Sequence, residues 1–285
     1  MRFPFSASLL LASCSALSAV TAQSASQQFA SRQGPNTIHS EYPFAQTAAL
    51  NITAWLVPVP KAQASKLANG RKLLKPTGLP DGFPLGEDEH PLVFAAGFLS
   101  DLRLLEIIRI PYLNGVSLYV PWVQGDTDSQ TPLIFPYVQY FGDLIPALIG
   151  DLTQSARSKV GKFDPPRNAY KADGASEFSM KVERLGQDQG GPVFSSSFQR
   201  SDSAVLSVEF MQSVLQQPVI REGGKNTCSK FTYRFNETFS NTFRVKGNLQ
   251  VASDFAIDPV TAANAQGISG TAEWLLPFQS LPCDS

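Results

Sequence analysis

The chain predicts a single α+β domain: a mainly antiparallel, partly closed β-barrel or sandwich with a few short helices. Three observations carry this expectation. Beyond residue 175, apolar side chains recur at every second position, as half-buried strands require. Gly, Asn and Ser separate these runs, as turns would. No internal repeat and no long linker interrupts residues 48–285. Composition agrees, since 43% hydrophobic and 16% charged residues in 285 suffice for a substantial core. All-β domains reach this length without splitting.

The elements follow in order. Arg2, a short apolar stretch and the ending Val20-Thr21-Ala22 form the pattern of a secretory signal peptide over residues 1–22. The stretch is too short, and too rich in Ser and Ala, to span a bilayer well. Residues 23–47 are polar and lack periodicity, and they predict a loose arm. Residues 49–59 read as an extended apolar strand, 61–76 as a short helix and 80–88 as a Pro/Gly/Asp loop.

Two apolar segments come next, 91–99 and 102–110. The second fits a strand with Leu102, Leu104, Ile108 and Ile110 on one face, or a helix aligning Leu102, Leu105 and Ile108. Residues 116–123 predict a strand whose Pro121 marks an edge or a bulge. Residues 143–152 predict a helix, with Asp143 as cap and Pro146 in the first turn. Asp164-Pro165-Pro166 breaks the chain. Alternation then places Phe178, Met180 and Val182 on one strand face. Ala204, Leu206, Val208 and Phe210 alternate likewise, as do Phe231, Tyr233 and Phe235, and then Phe243 and Val245.

Charge and motifs exclude several function classes. The formal net charge is −1, and no basic run suggests nucleic acid or an anionic membrane as a partner. There is no second long apolar stretch for a membrane span. Only His39 and His90 are present, without CxxC or His-x-x-x-His spacing, so no metal site is expected. GxGxxG, the P-loop and Gly-x-Ser-x-Gly are absent, and no cofactor is implied. Cys14 lies inside the signal. That leaves Cys228 and Cys283 as an even pair, expected to be bridged in an oxidising compartment. The sequons at Asn51 and Asn236 point to N-glycosylation on the same secretory route.

Three segments then carry a resemblance: Val57-Pro58-Val59-Pro60, His90-Pro91-Leu92-Val93-Phe94-Ala95-Ala96-Gly97, and Pro111-Tyr112-Leu113-Asn114-Gly115-Val116-Ser117-Leu118-Tyr119-Val120-Pro121. In this order they resemble the acetoacetate decarboxylase superfamily, where a Tyr-Asn-Glu-type turn leads into a strand with a Val-Pro-like end. The resemblance runs from about residue 48 to residue 278.

It implies Schiff-base decarboxylation of a β-keto acid or polyketide-like substrate by a lysine whose amine is held neutral by apolar burial. Acetoacetate decarboxylase is itself the standard instance of such a lysine. Lys159 falls nearest the expected spacing from Gly150, and Lys162 is the second choice. Glu106, set among Leu104, Leu105, Ile107 and Ile108, is a candidate substitute carboxylate.

The chain also departs from the family pattern. Gly-Arg-Glu becomes Gly150-Asp151-Leu152, the proline before the lysines becomes Ser158, and Asn114-Gly115 stands where the orienting glutamate is expected. Three readings therefore stay open: a secreted lyase, a catalytically silent barrel binding a hydrophobic small molecule, and a lysine-independent cyclase or isomerase of secondary metabolism. Oligomeric state is left open.

Overall fold

A computed structural model describes residues 35–105, 107–143, 157–186, 191–221, 226–235 and 242–284. Two long strands open the fold, β1 (Ala45–Pro60) and β2 (Glu89–Leu104), with helix α1 (Lys61–Leu67) between them. β1 is buried almost throughout. Trp55, Val57 and Val59 enter one apolar cluster, while Leu50, Ile52, Ala54 and Leu56 enter another. A strand covered on both faces reads as a continuous apolar run rather than an alternating one.

Next come β3 (Ile108–Val123), β4 (Leu133–Phe141), β5 (Arg157–Asp164), β6 (Lys171–Ala172), β7 (Glu177–Arg184) and β8 (Phe194–Arg200). Helix α2 (Val208–Leu215) leads to the short strands β9 (Val219–Ile220), β10 (Thr227–Ser229) and β11 (Thr232–Arg234). The chain ends with β12 (Phe243–Val251), α3 (Ser253–Ala256), β13 (Val260–Pro277) and β14 (Leu281–Pro282).

Pairing makes one 14-stranded sheet. Nine of its strands trace a circuit, β1–β2–β3–β4–β5–β7–β8–β12–β13 and back to β1. The circuit is antiparallel except at the short β4–β5 contact, where Val138 through Phe141 pair in parallel with Arg157 through Val160. The barrel is thus only partly closed. Its strands coil tightly at glycines: a Cβ on Gly97 would run into the carbonyl oxygen of Asn51, and one on Gly247 into that of Ser197.

The ring interior is filled by aromatic side chains from nearly every strand. Phe255 of α3 enters from one end, stacking on Tyr140 at 5.3 Å and lying 6.2 Å from Phe94 and 6.0 Å from Phe194. Trp55, Phe178, Phe198 and Tyr170 fill the space beyond. Each such ring, fully buried, contributes roughly 1.5–3 kcal/mol of transfer free energy. A second apolar layer lies outside the ring. There α2 and the Phe231–Phe235 stretch cover the outer face of β1–β4 and β13.

Several sequence expectations need correction. Residues 102–110 are not one strand. They are the end of β2, a turn and the start of β3, with Leu102 paired to Ile110 and Leu104 to Ile108. The four side chains were expected to share a face, and these cross-strand pairs bring them together across a hairpin. The turn escaped notice because Leu105, at φ 54°, occupies a conformation usually signalled by Gly or Asn.

Alternation at Val208 and Phe210 was equally misleading, since both lie in α2. Ser207 caps that helix by accepting a hydrogen bond from the Phe210 amide, and Met211, Val214 and Leu215 form its buried face. Pro121 marks a bulge rather than an edge, because β3 is paired on both sides and its register with β4 shifts there. The predicted 61–76 helix ends at Leu67, stopped by Asn69 and Gly70 at φ 55° and 76°. The described end of the expected loose arm is packed: Ile38 is buried, the Asn36 amide donates to Thr47 and the Asp101 carbonyl, and β1 already starts at Ala45. The helix expected at 143–152 lies outside the described residues, apart from Asp143.

The cysteine expectation matches the structure. Cys228 and Cys283 form a disulfide, tying the C-terminal tail to β10. His90 is fully buried, its Nε2 hydrogen-bonded to the Pro121 carbonyl at 2.8 Å. Burial is the main cause that lowers its pKa, and Lys61 adds to the effect. The unfolded chain therefore takes up a proton near pH 6.5 that the folded chain still refuses. Stability should fall as pH drops through that value toward the lower folded pKa. Melting curves between pH 7.5 and 5.5 should show the loss, and His90→Gln should shrink it.

Candidate ligand cavity

The sequence-predicted lysines do not meet in an enclosure. Lys159 on β5 is exposed; its Nζ donates to the Asp254 carbonyl at 3.2 Å and lies 5.5 Å from the centre of the Tyr140 ring. Lys162 is also exposed, paired in register with Glu183 of β7. The ring interior next to Lys159 is occupied by Tyr140, with Phe255 stacked on it. Glu106 and Asn236 lie outside the described residues.

The Asn51 sequon needs correction. Asn51 is 1% exposed, and its side chain hydrogen-bonds the Tyr170 hydroxyl, which also meets Ser269. A glycan has no room there, whatever the sequon pattern suggests. The dry setting pushes the Tyr170 pKa up to about 12.

Asn114, at the position expected for the orienting glutamate, holds a loop. Its Oδ1 accepts from the Arg167 amide at 2.9 Å and its Nδ2 donates to the Asn168 carbonyl at 2.7 Å.

Space exists instead on the outer face of β1–β4. A cavity of about 100 Å³, partly open to solvent, runs from Gln46 and Leu104 to Tyr119, under Phe231, Tyr233 and Trp274. Gly97 and Gly115 are register partners on β2 and β3, so the floor lacks side chains where they meet. Leu50, Ile52, Leu99 and Leu113 supply apolar walls. Phe231 packs against Trp274 at 5.7 Å. Among the described residues, the lining contains no Lys, Arg, His, Asp or Glu.

Its polar groups are few and neutral. Ser117 pairs in register with Gln139, and Ser117 hydrogen-bonds the Tyr119 hydroxyl. Tyr233 hydrogen-bonds Trp274. Burial raises the pKa of both phenols, Tyr233 well above the ordinary value with the neighbouring Tyr119 adding to it. Both stay protonated at neutral pH. Sequence reasoning missed this site, although Gly115 stood in plain view as a departure from the family pattern. Tyr119 and Tyr233 sat in runs that reported only strand periodicity.

No family model and no curated protein matches the chain. Solved structures do. An acetoacetate decarboxylase from Legionella pneumophila superposes with a TM-score of 0.53 at 12% identity, covering 84% of this chain and 86% of that one. An acetoacetate decarboxylase-like enzyme from Sphingomonas wittichii gives 0.53 at 11%, covering 84% and 93%. The enduracididine biosynthesis enzyme MppR complexed with pyruvate gives 0.51 at 12%, covering 84% and 90%. The chain has the acetoacetate decarboxylase fold. At such identities the likeness concerns architecture, so within the acetoacetate decarboxylase fold the chemistry has to be argued from this chain's own side chains. Among the described residues, no helix is long and apolar enough to cross a membrane.

Proposed function

We propose that this protein is an exported member of the acetoacetate decarboxylase-like group that binds an apolar small molecule non-covalently in the outer cavity. One observation carries the reading: the cavity is lined by uncharged, mostly apolar side chains, and both candidate lysines are exposed away from it. A Schiff-base lyase needs an amine kept neutral by burial, and neither Lys159 nor Lys162 is buried. Apolar lining with a few convergent polar groups is what small-molecule sites share. Export is supported by the N-terminal pattern and by the Cys228–Cys283 bond, a linkage that persists in oxidising compartments.

The test has two arms. Incubation with acetoacetate or pyruvate, borohydride reduction and peptide mapping should give no adduct on Lys159 or Lys162. Neutral N-phenyl-1-naphthylamine should bind with enhanced fluorescence. A stoichiometric lysine adduct accompanied by carbon dioxide release would overturn the proposal.

A further inference from the structure

The cavity's polar atoms are all uncharged, and they are arranged unevenly. Tyr119 and Tyr233 are 6% and 4% exposed, and both line the same space. The Tyr119 hydroxyl already meets Ser117, and the Tyr233 hydroxyl meets the indole of Trp274. The Trp274 indole N–H can only donate, so the Tyr233 oxygen accepts there and its own proton is available to another partner. Gln139, beside Ser117, is 1% exposed. At the other end lies Gln46, 3% exposed. A buried phenol proton left without an acceptor is costly, and a ligand oxygen would satisfy it.

We infer that the cavity selects neutral, oxygen-bearing apolar molecules (ketones, esters or lactones) over carboxylates, with Tyr119 and Tyr233 donating to the ligand oxygen. This rests on the proposed binding role of the cavity and adds the ligand class. A carboxylate brought here would lose its hydration, with no cation in the described lining to replace it. A carbonyl loses little hydration and gains phenol donors. The selectivity is therefore opposite to that of a keto-acid site.

Displacement of N-phenyl-1-naphthylamine by a matched pair tests this on the full chain at pH 8. 2-Undecanone should compete at least about a hundredfold more strongly than undecanoate. Tyr119→Phe and Tyr233→Phe should each lower the ratio of ketone to probe affinity by roughly fivefold to tenfold, the size of one lost hydrogen bond. Equal or tighter binding of undecanoate, or an unchanged ratio in both variants, would sink the inference. Failure of the probe to bind at all would instead remove the cavity as a binding site, which is a separate outcome.

Discussion

Gly115→Leu should weaken ligand binding roughly thirtyfold while the protein still folds. Gly115 lies in the floor of the cavity opposite Gly97, and a Cβ there would sit 3.4 Å from the Phe141 ring. That contact is tight, but Phe141 is 8% exposed at the sheet's outer face and can give by a few tenths of an ångström. The remaining leucine atoms must enter the space the ligand would use. Displacing on the order of 80 Å² of apolar contact costs about 2 kcal/mol, or roughly thirtyfold in affinity. Gly in a strand interior is itself unfavourable by about 0.5–1 kcal/mol relative to Ala, so stability should change little. Probe titration alongside thermal melting checks both halves. Unimpaired binding would mean that the ligand sits elsewhere. Lys159→Ala serves as the contrast, and its binding curve should superimpose on the parent's.

Removing the disulfide should have the largest effect on stability. Cys228 and Cys283 are 55 residues apart, and in the chain-entropy model closing such a loop contributes about 4 kcal/mol. Both cysteines are buried, and the bond secures β14 against β10. Cys283→Ser should lower the denaturation midpoint by an amount equivalent to about 2–4 kcal/mol. Urea unfolding with and without reductant measures it. The parent in reductant should resemble the variant, and a variant as stable as the oxidised parent would show that the tail contributes nothing.

The two substitutions separate local from global effects. Gly115→Leu acts on one volume and should leave unfolding nearly intact. Cys283→Ser acts on the unfolded ensemble and on the tail, so it should weaken probe binding only where unfolding begins to compete. The expected loss of stability below pH 6.5 through His90 is a third handle, because that histidine lies on neither the cavity nor the tail.

Most of the architecture could be read in advance wherever one face of a strand is wet. β7 shows it: Phe178, Met180 and Val182 are buried between partly exposed neighbours, and a period of two follows directly from the pleat. The same rule failed where both faces are covered or where a helix happens to begin on alternating residues. The β2–β3 turn has no Gly, Pro or Asn to announce it. α2 is stabilised by the Ser207 cap and by packing, signals weaker in the sequence than the apparent alternation of Val208 and Phe210.

The amino-acid sequence alone specified the strand-rich class, the family likeness and the cysteine pair, because periodicity, motif order and parity are local or countable properties. Only the tertiary structure decided which lysines are wet, that Asn51 is sealed inside the ring, and where empty space remains. Those facts depend on which faces a partly closed circuit of strands turns inward. Nothing in the local chemistry of Lys159 or Gly115 states whether an aromatic plug or an open cavity will lie beside it.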